Sequence, residues 1–326
     1  MSSRIKAINF VKIVIAMSFI VYLCIFIVVK LIIDPYKEFQ YFEFDINKKQ
    51  FFSSPKVTPY LLSEKLLNRE SVVIFGTSRS ALIDHKMLGD SVINFSSSLY
   101  GNPIDVYHFL INLDKEKIKN INKIYYLIDY HAFGYKVSAY VNKVYINTGI
   151  NKIYDSLKSF DVNSIKHAYK TVIMNLYSNG GYVLKGDGEV NHTTKKNFNL
   201  NNIGYPEPIR FSDEAFASLL KINDFSRDNN IEIVYFNVPL YNEFVKRFDM
   251  KLIIKQSKKI VNKIDSFYDL RCFPAISEFP NNFSSVNHPN YETTKYALDN
   301  LISTYKVNNN NIDLFYKNNW KICSGN

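Results

Sequence analysis

"VVIFGTSRSALIDHKML", residues 72–88, runs from four strand-forming apolar residues straight into a Gly-Thr-Ser-Arg turn and then a helical pattern. An unbroken apolar run bounded by a turn marks a strand buried on both faces, as in parallel sheets whose crossovers lay helices over each side. The serine at the mouth of the turn, Ser78, can serve in three ways. It can cap the next helix, cradle an anion or attack a carbonyl.

The same grammar recurs outward from this stretch. Strand-like runs lie at residues 91–95, 124–128, 231–237 and 266–270, with helical patterns at 79–88, 103–118, 213–229, 243–264 and 290–305. Continuous apolar strands alternating with helices predict an α/β chain built on a mostly parallel, five-stranded sheet covered on both faces. The segment 136–210 breaks the pattern. It is rich in Tyr, Asn and Lys and contains the glycine cluster "YSNGGYVLKGDGEVN", residues 177–191. An insertion of that size reads either as a lid or substrate platform, or as a surface subdomain without a direct role. Residues 34–70 read as a linker and lead-in, and 71–326 as the main domain.

The beginning of the chain is of another kind. "IVIAMSFIVYLCIFIVV", residues 13–29, contains no charge, and apolar character resumes after Lys30. As a helix, residues 13–33 would be about 31 Å long, close to the hydrocarbon thickness of a bilayer. Lys30 stands near one end, where a lysine can snorkel to the interface. Arg4, Lys6 and Lys12 precede the run, and Asp34 and Pro35 follow it. The positive-inside rule therefore puts residues 1–12 in the cytoplasm and everything after the span outside, in the periplasm or beyond. No small-x-small cleavage site follows, so a retained single-pass anchor is expected in preference to a removed signal peptide.

Composition narrows the function. The chain has 326 residues, 47% hydrophobic and 15% aromatic, enough for one large domain or two small ones and for a sizeable core. Its net charge of +10 comes without an arginine-rich helix, a zinc spacing or an aromatic-basic RNA motif, so nucleic acid is not an expected partner. His85, His108, His131, His167 and His192 show no metal-ligand spacing, and no cofactor is expected. Of the cysteines, Cys24 is in the span, while Cys272 and Cys323 can pair in an oxidising compartment or remain thiols. Sequons at Asn191 and Asn282 matter only in a eukaryotic secretory pathway.

In an open parallel sheet, ligands bind beyond the carboxyl ends of the strands. Following the strands in turn come Gly76-Thr77-Ser78-Arg79, "NFSSSLYGNP" (residues 94–103), "LIDYHAF" (127–133), "NVPLY" (237–241) and, further on, "FSSVNHPNYETTKYAL" (283–298). Ser78 and His288 thus stand at opposite ends of the main domain but at the same predicted edge. A serine hydroxyl becomes a nucleophile when an imidazole takes its proton. A strand-to-helix turn exposes Oγ and aims backbone N–H groups and a helix dipole at the same point. Glycine at 76 suits a backbone that must turn tightly there.

These blocks, in this order, resemble the SGNH (GDSL-like) hydrolase superfamily. "IFGTSRS" is similar to its first block, in the Gly-Ser/Thr-Ser-Arg variant found in membrane-anchored bacterial proteins of cell-surface polysaccharide acylation. "NFSSS" stands for the second block, "LIDYHAF" for the third and "FSSVNHP" for the last. The resemblance implies a flavodoxin-like three-layer α/β/α fold and ester chemistry on glycans or lipids. It makes Ser78 the nucleophile, His288 the general base and the Ser96 amide an oxyanion donor. Asp129 stands near a position where well-studied members offer an asparagine, and it can hold Arg79 or a backbone amide instead. Arg79 can alternatively receive an acidic group of the substrate.

The last block departs from the Asp-x-x-His pattern, because Ser285 stands three residues before His288. Ser285 or a backbone carbonyl can orient the imidazole. Otherwise Asp265, Asp269 or Glu278 can substitute, or the site is inactive and the domain is kept for binding. The expectation is therefore an exported serine esterase or O-acyltransferase working on acyl esters of a cell-surface glycan. A transferase would need a multi-span membrane acyl carrier as partner. The alternative is an inactive scaffold in envelope polysaccharide assembly.

Overall fold

The structure is a computed structural model. It describes residues 2–324 except 37, 40–41, 51–57, 90, 97–100, 135–152, 154–155, 158–159, 178–181, 185–189, 193–208, 210, 286–287 and 301–304. Most of the expected insertion at 136–210 therefore lies outside the described residues. The chain forms two compact units: Met1–Phe52 with Tyr145–Val183, and Ser53–Val144 with Leu184–Asn326. Residues 145–183, part of the segment that breaks the sequence pattern, thus group with the amino-terminal unit.

The larger unit is α/β. The strands of the chain are β1 (Ser71–Phe75), β2 (Val92–Asn94), β3 (Ile121–Leu127), β4 (Tyr182–Leu184), β5 (Val190–His192), β6 (Glu232–Phe236), β7 (Ser266–Tyr268), β8 (Phe283–Ser285), β9 (His288–Pro289) and β10 (Lys306–Asn308), all in the larger unit except β4, whose first two residues fall in the smaller one. Six of them make the central sheet, in the order β10-β7-β6-β3-β1-β2. β1 pairs in parallel with β2 and β3, β3 with β6, and β6 with β7. The sixth strand, β10, lies antiparallel on β7 and was not expected, since Lys306-Val307-Asn308 offers one apolar residue and no alternation to read.

All five residues of β1 are buried. Val73 and Phe75 join one core with the helices Pro103–Ile111, Asp213–Asp228 and Met250–Ile264. Val72 and Ile74, on the other face, meet Ile83, Met87 and Leu298. The period of two along the strand thus serves two separate cores.

Besides the helix expected at 290–305, which ends at Asp299, three expected helices are shorter than their sequence patterns. Residues 103–118 divide at Asn112, and 243–264 divide before Asp249, whose carboxylate caps Met250–Ile264. The third case matters most for the site. After β1, residues 78–82 are turn, and only His85–Leu88 is helical, capped by Asp84, which accepts the N–H groups of Lys86 and Met87. Asn94 is the physical reason. Its amide donates to the carbonyls of Ser80 (2.8 Å) and Ile83 (3.0 Å), drawing both away from helical bonding.

In the smaller unit, Ser2–Phe26 is α-helical and continues as a π-helical stretch, Ile27–Ile33. Ile8–Ile33 is one helix long and apolar enough to span a membrane, with a mean hydropathy of 2.7. It stops at Asp34, at φ +43°, whose N–H bonds the Val29 carbonyl and whose carboxylate accepts the N–H groups of Glu38 and Phe39. Lys30 does not snorkel outward as expected. It is buried, its Nζ 2.9 Å from Glu38 Oε2 and over the Tyr36 ring, because Asp34 folds the following residues back onto the helix end.

Candidate active site

β1 delivers the turn Gly76–Ser80 to the carboxyl edge of the sheet, where β2 and β3 diverge on either side of it. Gly76 is at φ +154°, and a Cβ there would lie 2.3 Å from Ser80 Oγ and 2.6 Å from Leu127 Cβ. Gly101, at φ +65°, approaches it from the second loop so closely that a Cβ at 101 would lie 2.7 Å from the Gly76 carbonyl carbon. Two loops meet backbone to backbone, and only glycines permit it. Gly76→Ala is expected to lower stability by about 1–3 kcal/mol, as overpacking does, read as a fall in the denaturant midpoint.

Ser78 projects from this turn and is exposed. It is not a helix N-cap, since Asp84 holds that place. Its Oγ lies 2.8 Å from His288 Nε2, across 210 positions of sequence. His288 is carried by the β8–β9 hairpin, in which Ser285 pairs with His288. Ser285 Oγ lies 2.9 Å from Nδ1 of the same ring. The hairpin is tied down on its far side: Asn290 bonds back to Asn281 and Asn282, and the Tyr291 hydroxyl donates to Asp84 at 2.9 Å. The structure thus brings Ser78, His288 and Ser285 into one line.

The other two neighbours of Ser78 in the turn face inward. The Thr77 hydroxyl donates to Asp129 Oδ2 at 2.8 Å, and the Arg79 guanidinium forms an ion pair with the same carboxylate. Arg79 also lies over the Tyr130 ring, 5.0 Å from its centroid, and reaches the Tyr130 hydroxyl. His131 Nδ1 stands 3.1 Å from Asp129 Oδ1. Arg79 and Asp129 are 5% and 4% exposed, so the pair is fully interior and the guanidinium does not face solvent to meet a substrate. The turn is therefore clamped to the end of β3 by residues on both sides of the serine.

Ser96 occupies a different place from the one its alignment with the second block implies. Its N–H donates to Asn94 Oδ1 at 2.9 Å, and its hydroxyl lies 2.7 Å from Ser80 Oγ. The amide expected to meet an oxyanion is thus engaged within the protein, and Ser96 supports the turn through Ser80. Residues 78–82 being turn, the segment after β1 does not itself aim a helix dipole at the serine. Asn94, Thr77 and Tyr130 escaped the sequence reading. Asn94 carries the one usable signal, a polar residue ending an otherwise apolar strand.

Asp269, one of the carboxylates considered for orienting His288, belongs to another network. It is buried against Arg271, whose Nε lies 2.8 Å from Oδ1, and against the Tyr316 hydroxyl at 2.5 Å. Burial pushes the carboxyl up, but the charge and hydrogen bonds of Arg271 and the Tyr316 hydroxyl outweigh it and hold Asp269 below the ordinary carboxylate range. A depressed folded-state value stabilises the fold above the unfolded carboxylate pKa, about 3.9, and that part is lost as pH falls through the folded value. Asp269→Asn is therefore expected to cost about 3–5 kcal/mol near neutral pH and to flatten the acid limb of a stability–pH curve. Asp265 and Glu278 are exposed.

Among the described residues, no group of three or more His, Cys, Asp or Glu side chains is placed to hold a metal ion. No protein-family model, no curated protein and no solved structure matches this chain.

Proposed function

We propose that this chain is a membrane-anchored serine esterase or O-acyltransferase of the SGNH type, acting on acyl esters, acetyl above all, of a cell-surface glycan. One observation carries the reading: Ser78 Oγ, His288 Nε2, His288 Nδ1 and Ser285 Oγ in a hydrogen-bonded line at 2.8 and 2.9 Å, on an exposed turn at the carboxyl edge of a parallel sheet. The order of the five parallel strands, β2-β1-β3-β6-β7, supports a flavodoxin-like three-layer fold, whose ligand crevice opens where β1 and β3 part.

In this mechanism His288 Nε2 accepts the Ser78 proton as Oγ attacks the ester carbonyl. The protonated imidazole then gives that proton to the leaving sugar oxygen, leaving an acyl-Ser78. Water, or a hydroxyl of a second sugar, is deprotonated by the same nitrogen and takes the acyl group, and the imidazolium returns that proton to Ser78 Oγ as the acyl–oxygen bond breaks. Hydrolysis and transfer thus differ only in the acceptor. The oxyanion falls to the N–H of Ser78 itself, since the amides of Arg79, Ser80 and Ser96 are engaged within the protein. As a transferase, the chain would receive acyl groups from a multi-span membrane carrier.

The anchoring part of the proposal rests on the apolar helix Ile8–Ile33 and on Arg4, Lys6 and Lys12 at its amino-terminal end, which favour an inside amino terminus. Cys272 is disulfide-bonded, which favours an oxidising compartment for the larger unit. The test of the chemistry is covalent labelling with a serine-directed fluorophosphonate. Wild type is expected to label, and Ser78→Ala and His288→Ala to lose the label while keeping their circular-dichroism spectra. Well-folded wild type that does not label would mark the domain as a binding scaffold, the reading favoured by a serine at position 285.

A further inference from the structure

The helix Val162–Tyr177, in the smaller unit, buries the wrong face for a helix in water. Its interior positions are Ser164, Ala168 and Thr171, small or polar residues recurring every three or four positions. Val162, Ile165, Tyr169, Ile173 and Leu176 recur at the same spacing on a different side, and all are exposed, from 39% at Ile173 to 79% at Val162. An ordinary surface helix shows the reverse arrangement, apolar stripe inward. A stripe of this size left outward marks a surface made for an apolar partner.

Its surroundings identify that partner. The helix packs on the π-helical end of the apolar span, Ile27–Ile33, and the Tyr36 hydroxyl meets His167 Nδ1 at 2.8 Å. Just before it, the Phe160 ring stacks edge-on against Tyr22 and Phe26, with centroids 5.6 Å away in each case. Tyr22 lies eleven residues before the end of the span, roughly 15 Å back along the helix. The stripe therefore begins beside side chains that a bilayer would surround. Lys166 and Lys170 each follow a stripe residue by one position, about 100° further round, and are exposed where an anionic headgroup can reach them. Tyr169 and Tyr177 have the amphipathic rings that favour the headgroup level.

We infer that Val162–Tyr177 is an interfacial helix, lying in the lipid surface at the exit of the span with its apolar stripe among the acyl chains. This rests on the anchoring part of the proposed function, not on its chemistry. The span and this helix together would give the smaller unit two attachments to the bilayer.

The test uses the full chain reconstituted in vesicles of ordinary or brominated phosphatidylcholine and phosphatidylglycerol. Trp320 is the single tryptophan, so a Trp320→Phe background allows one reporter at a time. Tyr169→Trp and Ile173→Trp are expected to show blue-shifted emission that brominated lipid quenches, and Lys170→Trp to show neither. All three positions are exposed, and labelling of Ser78 or circular dichroism reports that the fold survives. Red-shifted, unquenched emission at 169 and 173 overturns the inference in favour of water. Blue-shifted emission without quenching overturns it in favour of a covering protein. Val14→Trp, in the span, separates the two levels. If Val14→Trp is quenched and the stripe is not, the interfacial helix fails alone; if neither is quenched, the anchor fails with it.

Discussion

Ser78→Ala and His288→Ala are each expected to lower turnover of an aryl acetate by about 10⁶-fold, and the double variant to fall no further. The two residues act as one unit, so removing either abolishes the same proton-coupled attack. The more informative substitution is at Ser285. A carboxylate only accepts hydrogen bonds and so imposes a proton on the imidazole Nδ1, whereas a hydroxyl can accept from Nδ1–H or donate to a bare Nδ1. Ser285 therefore fits both neutral tautomers, only one of which leaves Nε2 free to take the Ser78 proton. A neutral hydrogen bond of about 1 kcal/mol makes Ser285→Ala roughly a fivefold loss, far from the ~10⁴-fold cost of removing the aspartate of a serine-protease triad. Ser285→Asp should raise turnover and move the acid limb of the pH–rate profile upward, because a carboxylate beside the ring favours its charged form. A loss of 10³-fold or more in Ser285→Ala would mean that the hydroxyl does more than orient.

Asp129→Asn is expected to lower the unfolding free energy by about 3–5 kcal/mol, the largest stability effect anticipated at the site. The carboxylate is buried with the Arg79 guanidinium and also accepts from Thr77, so its loss leaves an interior cation without its counter-charge. Removing both charges is a different experiment. Arg79→Met with Asp129→Leu should recover most of the stability, since an apolar pair of similar volume avoids desolvating two ions. It should not recover activity. The clamp sets the direction of Ser78 through the residues on either side of it, and misplacing a nucleophile by about 1 Å can cost 100-fold. Equilibrium denaturation and single-turnover labelling of the same variants separate these effects. Full activity in the double variant would show that the ion pair has no positioning role.

How much of this was open to reading from the residues depended on range. β1 was plain, because five consecutive buried positions leave an uninterrupted apolar run. The helix Asp213–Asp228 was equally plain, and so was the periodic face of Met250–Ile264, though not its start at the Asp249 cap. What hid was set by side chains that arrive from elsewhere. Nothing in "TSRSALID" announces that Asn94, on the next strand, will take two of its carbonyls and prevent a helix. The roles of Arg79 and Ser96 were hidden likewise, since a buried partner across the sheet edge decides each. In the smaller unit, a helix with small residues inward and apolar residues outward has a period that reads normally and a polarity that only the structure reveals.

The 210 positions between Ser78 and His288 also set a time. A chain made at about 5–20 residues per second needs roughly 10–40 s to pass from the serine to the histidine. During that interval the strand and turn bearing Ser78 can form, but the group that activates it does not yet exist. The hairpin of β8 and β9 must then close the longest loop in the site, which makes its docking a late, entropy-limited event. On the proposed chemistry, Ser78 is thus silent throughout its own synthesis, and docking of the β8–β9 hairpin is the step that arms the site.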